Sequence, residues 1–314
     1  MSKVEPLKWQ VELAKKYGIY GFGIYHYWFN NEKNLLTKPA ENLLEHKEID
    51  FPFFFAWDNA NWKRTWSKIQ GNDWSPIVDN ENKPKLDNGR EILVEYILGS
   101  EPDWKNHFDH LLPYFKDKRY IKVNNKPLFF IFNYTKEMSN MVSYWDKLAK
   151  ENGFNGVSVA FNNTIRTRTQ FPKGLKYFNY EPVYINSGLG NIANFVRRKI
   201  TRKEIKIREY DWVWKKLIKS IKHNRKGKNY DGIIVTYDDT PRRGENATVF
   251  TNASPAKFEK YLRETLKITS KQNKDFVFLT AWNEWGEGAY LEPDKEYGYQ
   301  YLEAVKKAVD SIDE

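Results

Sequence analysis

Two glutamates three residues apart, Glu284 and Glu287, stand in the segment F-V-F-L-T-A-W-N-E-W-G-E-G-A-Y-L-E-P that runs from Phe276 to Pro293. Chemistry at a glycosidic bond needs such a pair: one carboxyl protonated, to help the leaving oxygen depart, and one ionised, to activate a nucleophile. Trp282 and Trp285 flank the pair. A neighbouring indole raises one carboxyl by excluding water, while the better solvated carboxyl stays ionised. Asn283 completes the cluster, and Gly286 and Gly288 loosen the backbone around it. The commonest fate of E-x-x-E is an exposed pair on a first helical turn; the W-N-E-W context at the end of an apolar run argues against it.

A second cluster is Tyr237-Asp238-Asp239-Thr240-Pro241-Arg242-Arg243. Asp238 or Asp239 suits sugar hydroxyls, and Arg242 with Arg243 suits a phosphate or uronate gripped in forked geometry. An internal Asp–Arg salt bridge that fixes the loop is an equal reading. Further candidates are Tyr25, His26, Tyr27 and Trp28, then Trp57, Asp58, Asn59 and Trp62, then Tyr180 and Glu181. His26 reads equally as a ligand to a hydroxyl or as a satisfied core histidine. Trp57 and Trp62 read as stacking platforms or as core. His107 and His110 fall on a helix away from these clusters and make a poor metal site without a third ligand. No H-E-x-x-H, G-x-S-x-G or P-loop occurs, so neither a metal nor another cofactor is expected.

Seven short apolar runs, rich in aromatic and β-branched residues, must position these side chains: Ile19–Phe29, Phe51–Trp57, Pro127–Tyr134, Gly156–Asn163, Lys176–Val183, Gly232–Asp239 and Phe276–Trp285. Helical patterns are predicted at Lys8–Tyr17, Leu35–Lys47, Glu91–Phe115 (interrupted near Pro102), Met138–Asn152, Ser254–Ser270 and Tyr297–Ile312. Ser254 before Pro255 is a helix start. The alternation demands an α/β protein with a mostly parallel sheet. Polar and aromatic residues gather where the runs end, the rim on which (β/α)8 TIM-type barrels carry their chemistry. Seven strands fall one short of a closed barrel, so either a first β-strand is missing, which leaves edges at Ile19 and Phe276, or the sheet is open. A homo-oligomer would cover such edges. The glycines at 18, 21 and 23 have the wrong spacing for a doubly wound dinucleotide fold.

At 314 residues, with no Pro/Gly-rich linker, the chain reads as a single domain over 1–314 with a long loop from Thr65 to Arg90. Aromatic residues make up 17%, more than a core requires, and flat amphipathic rings line sites for sugars, nucleobases or lipid head groups. The absence of cysteine excludes disulfides, thiol catalysis and iron–sulfur clusters. The net charge of +10 concentrates in one segment: Arg197 to Lys228 holds fourteen Lys/Arg against three acids. This basic stretch, at about 190–229, reads as a helical insertion built from an amphipathic helix pair. A solvated face is its first reading and contact with an anionic membrane surface or charged glycan its second. Nucleic acid is not expected, since no binding motif accompanies the charge. With no signal-like or membrane-spanning run, the expected location is the cytoplasm, peripheral to the inner face of the membrane if the second reading holds.

The segments Y-G-I-Y-G-F-G-I-Y-H-Y-W-F, F-P-F-F-F-A-W-D-N-A-N-W, D-D-T-P-R-R-G and A-W-N-E-W-G-E-G-A-Y-L-E-P-D resemble the WbsX-type glycosyltransferase family of bacterial polysaccharide gene clusters. That family is similar to glycoside hydrolase family ninety-nine, endo-acting α-mannosidases on a barrel. The resemblance runs from about Trp9 to Val309. It implies Glu284 as base and Glu287 as general acid. It further implies that the base deprotonates the sugar's own 2-hydroxyl, giving a 1,2-anhydro intermediate, so that the carboxylate-spacing rule for retaining enzymes does not apply directly. Family members begin with a further strand and a Trp-containing loop before the first helix, which matches the count of seven. The expected function is action on glycosidic bonds of a bacterial surface polysaccharide by a retaining mechanism. The alternatives are a transferase using an activated sugar donor and an inactive glycan-binding barrel.

Overall fold

The computed structural model describes residues 3–63, 85–87, 90–162, 176–178, 205–224, 229–244 and 247–312. Tyr180, Glu181, most of the Thr65–Arg90 loop and both ends of the basic stretch lie outside these residues. The chain divides into two compact units, Met1–Glu12 with Tyr20–Asn162, and Leu13–Ile19 with Asn163–Glu314. Helix α1 (Val4–Lys16) contributes to both.

In the first unit, β1 (Phe22–Asn30) turns back through β2 (Lys33–Leu35), which lies antiparallel along its C-terminal half. The expected open edge of β1 is therefore covered there. Helix α2 (Lys38–Glu45) leads to β3 (Phe53–Trp57), which is parallel to β1 with Phe22 opposite Phe53 and His26 opposite Trp57. Every residue of β3 is buried, the signature of a parallel strand covered on both faces. The short strands β4 (Trp62–Lys63), β5 (Leu86–Asp87) and β6 (Arg90–Val94) form a small antiparallel sheet. Helix α3 (Glu101–Lys116) follows, then β7 (Lys122–Val123), β8 (Lys126–Ile131), α4 (Met138–Glu151) and β9 (Ser158–Asn162). β8 lies between β3 and β9, parallel to both, and β7 is antiparallel to it.

The helix predicted over Glu91–Phe115 is thus a strand followed by a helix. Pro102 sits at the helix start, where its missing N–H costs nothing, and Ser100 with Asp103 forms a capping box around it.

In the second unit, β10 (Lys176–Phe178) meets the start of β12 (Asp231–Ile234) through a parallel bridge between Phe178 and Tyr230. β12 pairs in parallel with β14 (Val277–Thr280). β11 (Lys206–Glu209) pairs in parallel with β13 (Thr248–Thr251). Helix α5 (Tyr210–His223) starts directly from β11, with the Glu209 carboxylate accepting the Trp212 N–H at 2.7 Å. It buries Tyr210, Val213, Trp214, Leu217, Ile218 and Ile221, one stripe at helical spacing. In the described part of the basic stretch a strand, β11, precedes the helix. Its β-branched Ile207 takes extended backbone in β11 beside the Thr- and Val-bearing β13, a strand too short to stand out in the sequence.

After the short helix α6 (Thr240–Arg243), α7 (Pro255–Lys271) begins as predicted, with the Ser254 hydroxyl accepting the Lys257 N–H. Helix α8 (Gln300–Asp310) packs with α7 over the core, where Trp214 stacks on Tyr261 at 5.6 Å. Among the described residues no helix is long and apolar enough to cross a membrane.

Candidate functional site at the end of the last strand

The apolar run predicted to extend to Trp285 breaks after Thr280. The chain resumes as β15 (Asn283–Glu284), which forms a hairpin with β16 (Ala289–Tyr290), Glu284 opposite Ala289. A 3-10 turn, Trp285–Glu287, joins the two strands. Gly288 closes the turn at φ +58°, and a Cβ there would lie 2.9 Å from the Asp238 nitrogen. Glycine is required by both the left-handed backbone and the close approach. Across that approach the Asp238 N–H donates to the Glu287 carbonyl at 2.8 Å, locking the turn to the loop after β12.

Glu287 is buried, and Arg242 Nη1 donates to its Oε1. Its Oε2 is enclosed without a hydrogen-bond partner among the described residues. Burial pushes the Glu287 carboxyl above the usual carboxylate range; Arg242 opposes the shift and the charge of Glu284 adds to it. Glu284 is half-buried and also raised, by burial first, with Arg242 again opposing. The two carboxyls thus share one cation and sense each other, and the less accessible of them is Glu287. The stem of Arg242 lies against Gly286, where a Cβ would meet its Cδ at 3.4 Å.

The remaining members of the loop after β12 serve to build it. Asp239 is buried and accepts from the Thr248 N–H at 2.6 Å, Arg243 Nε at 2.8 Å and the Tyr237 hydroxyl at 3.2 Å. Tyr237 is itself buried, and Asp238 accepts the Thr240 N–H at 2.9 Å. Arg243 pairs with Asp239, as in the salt-bridge reading of this loop, and Arg242 engages Glu287. Trp282 is half-buried against the core, and its carbonyl accepts the Leu291 N–H at 2.9 Å. Asn283 is half-buried in the hairpin. Trp285 is 46% exposed.

Tyr25, His26, Tyr27, Trp28, Trp57, Asp58, Asn59 and Trp62 belong to the first unit. Tyr25 and Tyr27 stack on one face of β1 at 5.8 Å, and Trp62 meets Tyr27 edge-on at 5.2 Å. Trp57 and Asn59 are buried: the Trp57 indole donates to the Trp28 carbonyl at 2.9 Å, and the Asn59 amide exchanges two hydrogen bonds with the Asn133 backbone. For Trp57 this is the core alternative rather than an open platform. Asp58 is half-buried, its N–H donating to the His26 carbonyl.

His26 is buried too, and His107 is not away from it. The two Nε2 atoms are 2.7 Å apart, His107 stacks on Trp28 at 4.6 Å, and His110 stacks on His26 at 5.8 Å. Burial lowers His26 to about 3 and His107 well below the usual imidazole value, so both rings are neutral. A small cleft of about 30 Å³ lies between Trp28, Trp57, Trp104 and His107. The i, i+3 spacing of the two histidines was visible in the sequence; that α3 lays them against the end of β1 was not.

Solved structures similar to this chain include a glycoside hydrolase-like protein, with TM-score 0.62, 12% identity, and coverage of 98% of this chain and 86% of that one. They also include the GH99 endo-alpha-mannosidase from Bacteroides thetaiotaomicron, with TM-score 0.56, 13% identity, and coverage of 99% and 80%. At these identities the likeness speaks for the fold: α/β, of the class those hydrolases share. The uncharacterized protein WxcX of Xanthomonas campestris pv. campestris strain B100 is 24% identical over 307 residues, which is 96% of this chain and 40% of the relative. The same protein from strain ATCC 33913 matches equally. The chain thus spans about two fifths of the length of the curated relatives it matches. Residues 1–305 match the family described as Glycosyltransferase WbsX, and the chain belongs to that family.

Proposed function

We propose that this chain is a carbohydrate-active enzyme acting on glycosidic bonds of a bacterial surface polysaccharide, with Glu287 as general acid and Glu284 as base. The observation that carries the reading is the Glu287 carboxyl, buried and raised, with one oxygen under Arg242 and the other enclosed without a partner. A protonated acid needs such an enclosed oxygen, and an ionised base needs the better solvated position that Glu284 holds. In the route implied by the family resemblance, the Glu287 proton passes to the leaving glycosidic oxygen. Glu284 takes the proton of the sugar's 2-hydroxyl, whose oxygen closes on the anomeric carbon. Water or an acceptor hydroxyl then opens that ring with the proton transfers reversed, giving hydrolysis or transfer with retention.

The name of the Bacteroides neighbour makes α-mannans the first substrates to offer, followed by bacterial surface polysaccharides and then nucleotide-linked and lipid-linked sugar donors. Cleavage or transglycosylation of a glycan that Glu287→Gln abolishes while binding persists supports the proposal. Turnover only with an activated donor makes the chain a donor-dependent transferase, and glycan binding without turnover makes it a binding barrel. Full activity of Glu287→Gln removes the acid assignment.

A further inference from the structure

Among the described aromatic residues of the second unit, Trp285 is the one large ring left open beside the carboxyl pair. It is 46% exposed, although it stands in the three-residue turn between Glu284 and Glu287. Exposed indoles usually turn about two side-chain torsions; this one is held twice. One face lies on Tyr290, with ring centroids 3.8 Å apart and planes 18° from parallel. Its Nε1–H donates to Glu292 Oε2 at 2.7 Å. The support is itself fixed, since the Tyr290 hydroxyl donates to Asp294 Oδ2 at 3.0 Å, and Asp294 Oδ1 accepts the N–H groups of Glu296 and Tyr297.

The backing ring and the tied nitrogen fix the orientation of the ring, and with Tyr290 on one face the 46% exposure falls to the other. A fixed aromatic plane of this kind binds with little loss of side-chain freedom. The ligand it suits has a flat apolar face bordered by hydroxyls, which is the shape of a pyranose ring lying on an aromatic plane.

We propose that Trp285 is a stacking platform for a pyranose ring of the glycan, one that positions the chain at the carboxyl pair, with Tyr290 and Glu292 fixing the plane. The proposal rests on the glycosidic-bond reading for its meaning, but its first test does not depend on turnover. The whole chain is labelled with 5-fluorotryptophan and titrated with the methyl α-pyranosides of mannose, glucose and galactose. The resonance that disappears in Trp285→Ala identifies the platform. Trp9, equally exposed at 46% but on α1 of the first unit, serves as the internal control.

A saturable shift of the Trp285 line by at least one pyranoside, with the Trp9 line unmoved, is the expected result. No saturable shift with any of the three, or equal shifts of both lines, overturns the platform. The second test uses whichever glycan is turned over. Trp285→Ala raises KM about tenfold, the scale of one lost ring contact, with a much smaller change in kcat, and Trp285→Phe recovers most of the loss. Equal KM in all three proteins overturns the proposal while leaving the acid–base assignment intact. A platform that binds pyranosides in a protein without turnover overturns the assignment instead.

Discussion

Arg242 grips the carboxylate oxygen Oε1 of Glu287 from 45 residues upstream, while Oε2 of the same group remains enclosed without a hydrogen-bond partner among the described residues. The cation favours the ionised form and burial favours the neutral one, and the balance lies above the ordinary carboxylate value. Removing the cation strengthens the neutral form. Arg242→Gln is therefore expected to move the alkaline limb of the kcat/KM profile, which reports the group that must be protonated, upward by about one pH unit. A limb that stays in place or moves down contradicts Glu287 as the acid.

Gly288 should tolerate no side chain. Gly288→Ala must hold φ +58° and place a methyl 2.9 Å from the Asp238 nitrogen. The expected cost is on the order of 1–3 kcal/mol, from backbone strain and the displaced contact, together with loss of turnover as Glu287 shifts. Urea unfolding and activity measure the two effects. Gly286→Ala, whose Cβ meets Arg242 at an ordinary 3.4 Å, should be the milder variant on both scales.

The first unit carries an internal ion pair whose loss should be expensive. Arg119 is buried and donates to both Asp117 oxygens, at 3.0 and 2.8 Å, and to the carbonyls of Leu43, His46 and Ile49. Arg119→Met leaves a buried carboxylate with Lys47 and the backbone N–H of residue 119 but no guanidinium, and is expected to cost about 3–5 kcal/mol by denaturant unfolding. Burial would raise Asp117, but the Arg119 and Lys47 bonds outweigh it and hold the carboxyl below its ordinary value. Its contribution is therefore present above the unfolded-state pKa near 3.8 and fades as the pH falls through the native value.

The stacked histidines set a second acid dependence with a higher onset. His26 and His107 are lowered from 6.5 by burial, so below that pH the unfolded chain binds protons that the native unit does not. Stability should be full above about pH 6.5 and fall below it, on the order of 1 kcal/mol per pH unit for each ring, down towards the His26 value of about 3. Urea midpoints at pH 7 and pH 5 measure the slope, and His107→Phe should flatten it. An equal slope in that variant would place the acid sensitivity elsewhere.

Much of the layout was legible from residue pattern alone. The apolar runs at Phe51–Trp57 and Pro127–Tyr134 hold the parallel strands β3 and β8, buried from Phe53 to Trp57 and from Pro127 to Ile131, because two-sided burial accommodates such continuous hydrophobicity in so few residues. Ser254 and Pro255 marked a helix start through local chemistry that needs no tertiary partner. The carboxyl pair, its tryptophans and its glycines were equally visible, since a short motif carries its spacing with it.

Partnership across distance was decided by the fold. Nothing in D-D-T-P-R-R-G says that Arg242 turns to Glu287 while Arg243 turns to Asp239; the approach of the α6 loop to the Gly288 turn sets that. His107 looked remote from His26 until α3 laid it 2.7 Å away, and Ile207 looked helical until β13 offered a strand to pair with. Trp57 and Trp285 are the same residue type, each closing an apolar run of the sequence. One is sealed in a core and the other presents a face to water, because exposure depends on what packs above a residue and not on its neighbours in the chain.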